Sequence, residues 1–414
     1  MTRISFIMPT YNRADLVAES LHAVMASAGE DDEILVVDDG STDTTPQVVA
    51  ALAPRVRYVR QANAGKSAAL NRALALTDGA HVWICDDDDL LRPGAVGTLL
   101  AALESSGAGF VFGRHERFRM DPVAGRIAMG TGYWPDLSTG SVLRHLLEDA
   151  FVMQNAALVR RRCYRDVGPF DETFLRSQDY EMFVRLALRH RALHVDSTVF
   201  DQRKHDGARG PSAARHAVAG AEDIWRRFDR RIFETNAGLL SVPVFEALFE
   251  GTDKVLCQRA ARLQRACVHA RHDLWDRAIE DLRAAAAIGL DTPLHSVETA
   301  ICARVLGGKH GFAGALAPPI LGALRSLHNH AGGAIVRAIL RGVLWRLRRD
   351  SPNVRSDARK LLAAVAGPVG TARILVEHAV KRSPEAIDDA LRERSVESAP
   401  VASTGLNESH PTFV

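Results

Sequence analysis

A chain of 414 residues with 47% hydrophobic content can bury a substantial core, and a chain of this length commonly divides into two domains. A formal net charge of +2 with 25% charged residues excludes the strongly basic balance of a general nucleic-acid binder, although the N-terminal half leans acidic and the C-terminal half basic. Five cysteines, an odd number with no C-x-x-C spacing, point to a reducing compartment and away from a zinc site.

The opening MTRISFIMPTYNRADL holds a six-residue apolar run, too short for the hydrophobic region of a signal peptide. Nowhere does the chain reach the roughly 18 to 20 unbroken apolar residues of a spanning helix. A cytoplasmic protein is therefore expected. Apolar runs at 4–8, 33–37, 56–59 and 81–85 predict strands, and 14–28, 44–52 and 67–76 have helical periodicity between them. This alternation predicts an α/β fold, a mostly parallel sheet with helices on both faces, whose ligands bind beyond the carboxyl ends of the strands.

From about residue 107 the pattern changes to shorter strands, with candidates at 109–112 and 156–159 and an amphipathic helix at 179–189. Beyond about residue 210 strand signals nearly vanish and Ala/Leu/Arg helices dominate. Residues 261–290 predict a helical hairpin with its turn near Arg271-His272-Asp273. Residues 334–349, AIVRAILRGVLWRLRR, predict a basic amphipathic helix with Arg337, Arg341 and Arg348 opposite an apolar face. Such a helix either lies on an anionic membrane surface or packs in a core with a solvated arginine face. The polar tail from 395 predicts disorder. The domains expected are thus 1–210, catalytic; 211–394, helical; and 395–414, a disordered tail.

Polar loops follow three of the strands, and each has a plain reading beside a chemical one. In VVDDGSTDTT (36–45), Asp38 and Asp39 end a strand and Gly40 permits a tight turn. The loop either caps the next helix or offers a carboxylate to a base N–H or ribose hydroxyl. In NAGKSAALNRAL (63–74), Gly65 allows close backbone approach and Lys66 puts a cation at a helix start, which suits phosphate. Neither a Walker A loop nor a G-x-G-x-x-G is present. The run Asp86-Asp87-Asp88-Asp89 is either a solvated acidic turn or a site for a hard divalent cation, Mg²⁺ or Mn²⁺, completed by phosphate oxygens. In the second reading the run needs no protein cation. Asp179 is either an N-cap or a carboxylate placed to take a proton from a hydroxyl.

The ordered motifs MPTYNR, EILVVDDGSTD, NAGKSAALN, DDDDLLRPG, GPFDE and SQDYE, spread over 4–205, resemble the family 2 glycosyltransferases. The resemblance implies the GT-A nucleotide-diphospho-sugar transferase fold and inverting, metal-dependent transfer of a sugar to an acceptor hydroxyl, with Mn²⁺ or Mg²⁺. It implies that Thr10 and Asp39 contact the nucleobase and ribose, with Pro9, Asn12 and Arg13 shaping that pocket. Lys66 then lies near the phosphates, Asp86 and Asp88 form the family's Asp-x-Asp with Asp88 the leading metal ligand, Asp87 contacts ribose or donor sugar, and Asp89 caps a helix leading into Leu90. Asp179 matches the catalytic base, and His205, in Arg203-Lys204-His205, approaches the metal or diphosphate. The chain departs from the family pattern at Gln178, where glutamate is common, and at Ala69-Leu70-Asn71, where an arginine is often found. The implied partners are a UDP-, GDP- or dTDP-linked sugar donor and a glycan or lipid-linked acceptor, as in bacterial surface polysaccharide synthesis, with peripheral contact at the inner face of the cell membrane. Residues 113–155, including Tyr133 and Trp134, are expected to frame the acceptor side. The rival readings are a non-catalytic sugar-nucleotide-binding or scaffolding protein and a nucleotidyltransferase.

Overall fold

The computed structural model describes residues 4–204, 221–344, 346–349, 351–379 and 389–395. His205 and the tail from 396 lie outside the described residues. The first part of the chain runs β1 (Ile4–Thr10), α1 (Val17–Ser27), β2 (Glu33–Asp38), α2 (Thr45–Ala50), β3 (Arg57–Arg60), α3 (Lys66–Leu76) and β4 (His81–Ile84). It continues through β5 (Leu90–Leu91), α4 (Ala95–Ser106), β6 (Phe110–Asp121), β7 (Gly125–Ala128), α5 (Val142–Glu148), β8 (Ala157–Arg160), α6 (Arg161–Val167), α7 (Gln178–Arg189) and β9 (Ala192–Arg203).

These nine strands form one sheet in the order β3-β2-β1-β4-β8-β6-β9-β5, with β7 paired to β6. The four strands β3, β2, β1 and β4 are parallel, as the alternation predicts; β8 then joins antiparallel to both β4 and β6. Every position of β1 is buried, because helices cover both faces. Its side chains alternate: Phe6 and Met8 join the apolar layer under α1 and α4, while Ile7 joins the layer under α3, α5 and α7.

The second part is helical: α8 (Ala221–Thr235), α9 (Val242–Glu246), α10 (Lys254–Arg271), α11 (Trp275–Ala286), α12 (Ser296–Arg304), α13 (Pro318–Asn329), α14 (Gly333–Gly342), α15 (Arg346–Arg349) and α16 (Pro352–Ala379), the last kinked at Gly367-Pro368. Helices α10 and α11 make the expected hairpin, turning at His272-Asp273. The apolar layer on the α3 side of the sheet runs without a break into these helices, from Ile7 and Phe183 through Phe233 and Cys267 to Leu361.

Several expectations are corrected. Strand β6 extends to Asp121, and β5, β7 and β9 were not among the strands expected. A short ladder, β10 (Phe249–Glu250) with β11 (Arg392–Glu393), sits within the helical part. Asp89 leads into a strand, β5, and not into a helix. The segment 334–349 is two helices, and Ile335, Ile339, Leu340, Val343 and Leu344 are all buried. Its apolar face is spent on α12, α13 and α16, so it is not offered to a membrane. Among the described residues no helix is long and apolar enough to cross one.

Candidate active site

The carboxyl ends of β1, β2 and β4 and the N-termini of α3 and α7 converge on one edge of the sheet. Parallel pairing fixes this: Thr10 lies beside Asp38, and Ile7 beside Ile84, so the loops that follow leave side by side. Pro9 is buried in β1, opposite Val37. Thr10 donates its hydroxyl to Asp87 at 2.7 Å and its carbonyl accepts the Asp39 N–H at 2.9 Å.

Asp39 is 5% exposed, and its carboxylate is largely taken. It accepts the Ala64 N–H and the Gln61 side-chain amide on Oδ1 and the Gly65 N–H on Oδ2, each at 2.8 Å. Gly40, with φ of +86°, brings the chain so close to this loop that a Cβ would meet the Asn63 nitrogen at 3.0 Å. Asp39 therefore secures the loop that delivers Lys66, a role beyond the base or ribose contact expected of it. Asn12 is likewise engaged, its Oδ1 accepting the Thr42 N–H at 2.7 Å, and it braces the turn after β2.

The acidic run is neutralised in part by two protein cations, contrary to the expectation that it needs none. Lys66 Nζ lies 2.6 Å from Asp86, and Arg13 lies 3.5 Å from Asp87 and 4.0 Å from Asp88. Burial pulls the Lys66 ammonium down, but the charges of Asp86, Asp179 and Asp87 outweigh it and hold it above its ordinary value. Burial, then the charge of Asp88, pushes Asp87 up to about 7 against the opposing pull of Arg13 and Thr10. Asp89 is buried and raised by desolvation and then by Asp88 and Asp86; it accepts the Arg203 N–H at 2.8 Å. The Arg203 guanidinium also donates to the Asp88 carbonyl at 3.0 Å, so β9 fastens the acidic loop from below.

Asp179 is the second residue of α7, half-buried, its Oδ1 accepting the Tyr180 N–H at 2.9 Å. Ser177, not Asp179, occupies the N-cap position, and its side chain makes no capping hydrogen bond to the helix. Burial raises the Asp179 pKa, and Lys66 is the main influence lowering it. Asn71 joins α3 to the loop before α7: it accepts the Phe170 N–H at 2.8 Å and donates to the Phe170 carbonyl at 3.0 Å. Sequence reading singled out Asn71 only as part of a motif; partners of this kind, backbone groups a hundred residues away, leave no local signal. Trp134 is packed against Phe112, Phe151 and His194, while Tyr133 is exposed.

Among the described residues no three or more His, Cys, Asp or Glu side chains converge as a closed metal cage would. The donor chemistry nevertheless suits a hard divalent ion in an open site. Asp86 pairs with Lys66, and Asp87 and Asp88 with Arg13, while burial and then the charge of Asp88 push Asp87 up to about 7, a rise that a bound cation would oppose.

A Rossmann-like sheet extended by antiparallel strands, with an acidic loop after β4 and a carboxylate at the start of α7, defines the GT-A class of glycosyltransferase fold. Residues 5–168 match the sequence model of Glycosyl transferase family 2. The chain is 27% identical over 206 residues to chondroitin synthase of Pasteurella multocida, a match covering 49% of this chain and 20% of the relative. It is 33% identical over 107 residues to the succinoglycan biosynthesis protein ExoO of Rhizobium meliloti, covering 25% of this chain and 31% of that one. The chain thus spans about a fifth to a third of the length of these relatives. Among solved structures, S. aureus TarS 1-349 in complex with UDP-GlcNAc aligns with a TM-score of 0.48 and 15% identity, covering 82% of this chain and 90% of that chain.

Proposed function

We propose that this protein is an inverting glycosyltransferase that moves a sugar, a hexose or its derivative, from a nucleotide-diphosphate donor to an acceptor hydroxyl in the building of a bacterial surface glycan. The observation that carries the reading is the shared ammonium of Lys66, paired to Asp86 in the acidic loop and felt by Asp179 at the start of α7. A base for the acceptor and a seat for the donor diphosphate must flank one anomeric carbon, and these two carboxylates both feel one cation. The similarity to chondroitin synthase and ExoO supports a polysaccharide product.

In this mechanism Asp179 takes the proton of the acceptor hydroxyl while its oxygen attacks the anomeric carbon, and the nucleotide diphosphate leaves from the opposite face. Burial makes Asp179 a stronger base than an exposed carboxylate, and the charge of Lys66 opposes that rise. Lys66 and Arg13 are placed to draw the diphosphate, and Pro9 and Thr10 form the floor on the nucleotide side. Asp88 and Asp86 are the side chains that would hold Mn²⁺ or Mg²⁺, with His205 as a further ligand. When bound, such an ion offsets the charge that grows on the leaving diphosphate. The acceptor is a glycan or a lipid-linked saccharide, and the reaction is cytoplasmic, at the inner face of the membrane for a lipid-linked acceptor.

The test is a thermal-shift screen of UDP-, GDP- and dTDP-sugars with and without Mn²⁺, since stabilisation follows donor affinity, with sugar transfer measured on the hits. Asp179→Asn is expected to keep the donor-induced shift and lose transfer. Normal turnover by that variant would refute the assignment of the base, and no shift with any nucleotide sugar would refute the donor class.

A further inference from the structure

Helix α7 starts from a residue in an unfavourable conformation. Ser177 has φ of +56° and ψ of +20°, the left-handed region, which a side chain with a Cβ adopts at a cost and glycine does not. Nothing in SQDYE signals how this is held. The answer lies in the helical part: the Ser177 hydroxyl donates to Asp229 Oδ1 of α8 at 2.7 Å, and both groups are buried. The other oxygen of Asp229 meets Lys309 Nζ at 2.6 Å and His310 Nε2 at 2.9 Å, both from the turn after α12. Burial pushes Asp229 up, yet the His310 and Lys309 contacts outweigh it and hold the carboxyl well below its usual range.

The same elements grip the chain on either side. Upstream, Arg231 of α8 donates to the Thr173 carbonyl at 3.0 Å and to its hydroxyl at 2.6 Å. Downstream, Lys309 sits 5.5 Å from the Tyr180 ring, and the Tyr180 hydroxyl donates to the Leu146 carbonyl at 2.7 Å. Asp179 is thus bracketed by Ser177 and Tyr180, two residues whose positions are set from outside their own helix.

We propose that Asp229, with Lys309 and His310, is a positioning device that holds the Ser177 turn and so aims Asp179 at the acceptor hydroxyl, making the helical part a component of the catalytic apparatus. The proposal rests on the reading of Asp179 as the base. It makes an unusual demand on the side chain at 177: the hydroxyl is needed because a Cβ is there, so glycine, which takes this conformation freely, should do better than alanine.

The experiment compares Ser177→Ala, Ser177→Gly, Asp229→Ala and the double variant Asp229→Ala/Ser177→Gly in the full-length protein, reading kcat and the donor KM separately. Ser177→Ala and Asp229→Ala are expected to lower kcat about tenfold with the donor KM within about twofold, Ser177→Gly to lose less than Ser177→Ala, and the double variant to exceed Asp229→Ala. Glycine no better than alanine at 177, or an unchanged kcat in Asp229→Ala, would overturn the proposal. Should Asp229→Ala fail to fold, the two Ser177 variants decide alone. Amide hydrogen exchange gives an arm that needs no turnover: Ser177→Ala should speed exchange at 174–181 and leave 61–65 as in wild type. If wild-type protein transfers no sugar, the functional reading fails, while equal exchange at 174–181 in variant and wild type would overturn the clamp itself.

Discussion

Replacement of Asp39 by asparagine separates a scaffolding role from a ligand-contacting one. The carboxylate accepts three hydrogen bonds from 61–65, two of them from backbone N–H groups at 2.8 Å on different oxygens. Asparagine has one carbonyl oxygen, so its NH₂ must face an N–H of Ala64 or Gly65, and one bond is replaced by a donor-donor clash. Hydrogen bonds to a charged acceptor contribute about 1.5–3 kcal/mol each, and those that survive on a neutral amide lose part of that. The expected cost is about 3 kcal/mol, which at about 2 °C per kcal/mol for a large domain lowers Tm by about 6 °C. The assay is thermal unfolding in buffer free of nucleotide and divalent metal. A variant that melts with the wild type but has lost nucleotide affinity would refute the scaffolding argument and return Asp39 to the role of a direct ligand contact.

Two further outcomes follow from the same geometry. Asp88→Ala should leave Tm within about 1 °C and abolish transfer, whereas Asp89→Ala should lower Tm by about 4 °C, because it leaves the buried Arg203 N–H without its acceptor at about 2 kcal/mol; thermal melts beside activity measurements check the pair. Glu148, on α5, is buried; burial works to raise its pKa, but Arg304, Arg271 and Arg144 override this and hold it near about 2, against an ordinary 4.5. A depressed folded pKa gives stability that is present above pH about 4.5 and is lost as pH falls toward 2, here about 3 kcal/mol at most. Urea midpoints from pH 6 to 2.5 should therefore fall steeply in the wild type and less in Glu148→Gln; parallel curves would count against the linkage.

What the sequence conveys and what it withholds divide along physical lines. The parallel strands are legible because burial on both faces demands unbroken runs such as EILVV, and the loops are legible because polar clusters must follow them. Strand β9, ALHVDSTVFDQR, is harder to read: Leu193, Val195 and Val199 alternate with His194, Asp196 and Thr198, but the alternation is interrupted at Ser197 and ends in Asp201-Gln202-Arg203, and its pairing partner β6 lies some eighty residues away. Residues 334–349 show the limit from the other side: an apolar stripe opposed by arginines has one pattern whether lipid or α12 covers it, and only tertiary packing distinguishes them. In the site, the residue types were readable and their occupation was not. Asp39 and Asn12 carry the expected groups, but backbone N–H groups, which every residue possesses, take them up. Lys66 was placed near phosphate on the strength of its helix N-terminus, and its partner Asp86 sits on a strand end twenty residues further on, where only the parallel register brings the two together.

The unbroken apolar layer from the sheet into α10 and α16 also bears on how the protein can be handled. A clone stopped near residue 210, where composition changes, would strip the cover from Tyr180 and from the apolar surface that α7 presents to α8 and α5 presents to α10, besides removing Asp229. Such a fragment would contain every motif by which the family is recognised and still present a greasy, insoluble flank. Expression, crystallisation and chimera-building should keep the sheet together with the helices that cover it, with donor-sugar exchange attempted by swapping loops on the sheet edge and not by swapping halves.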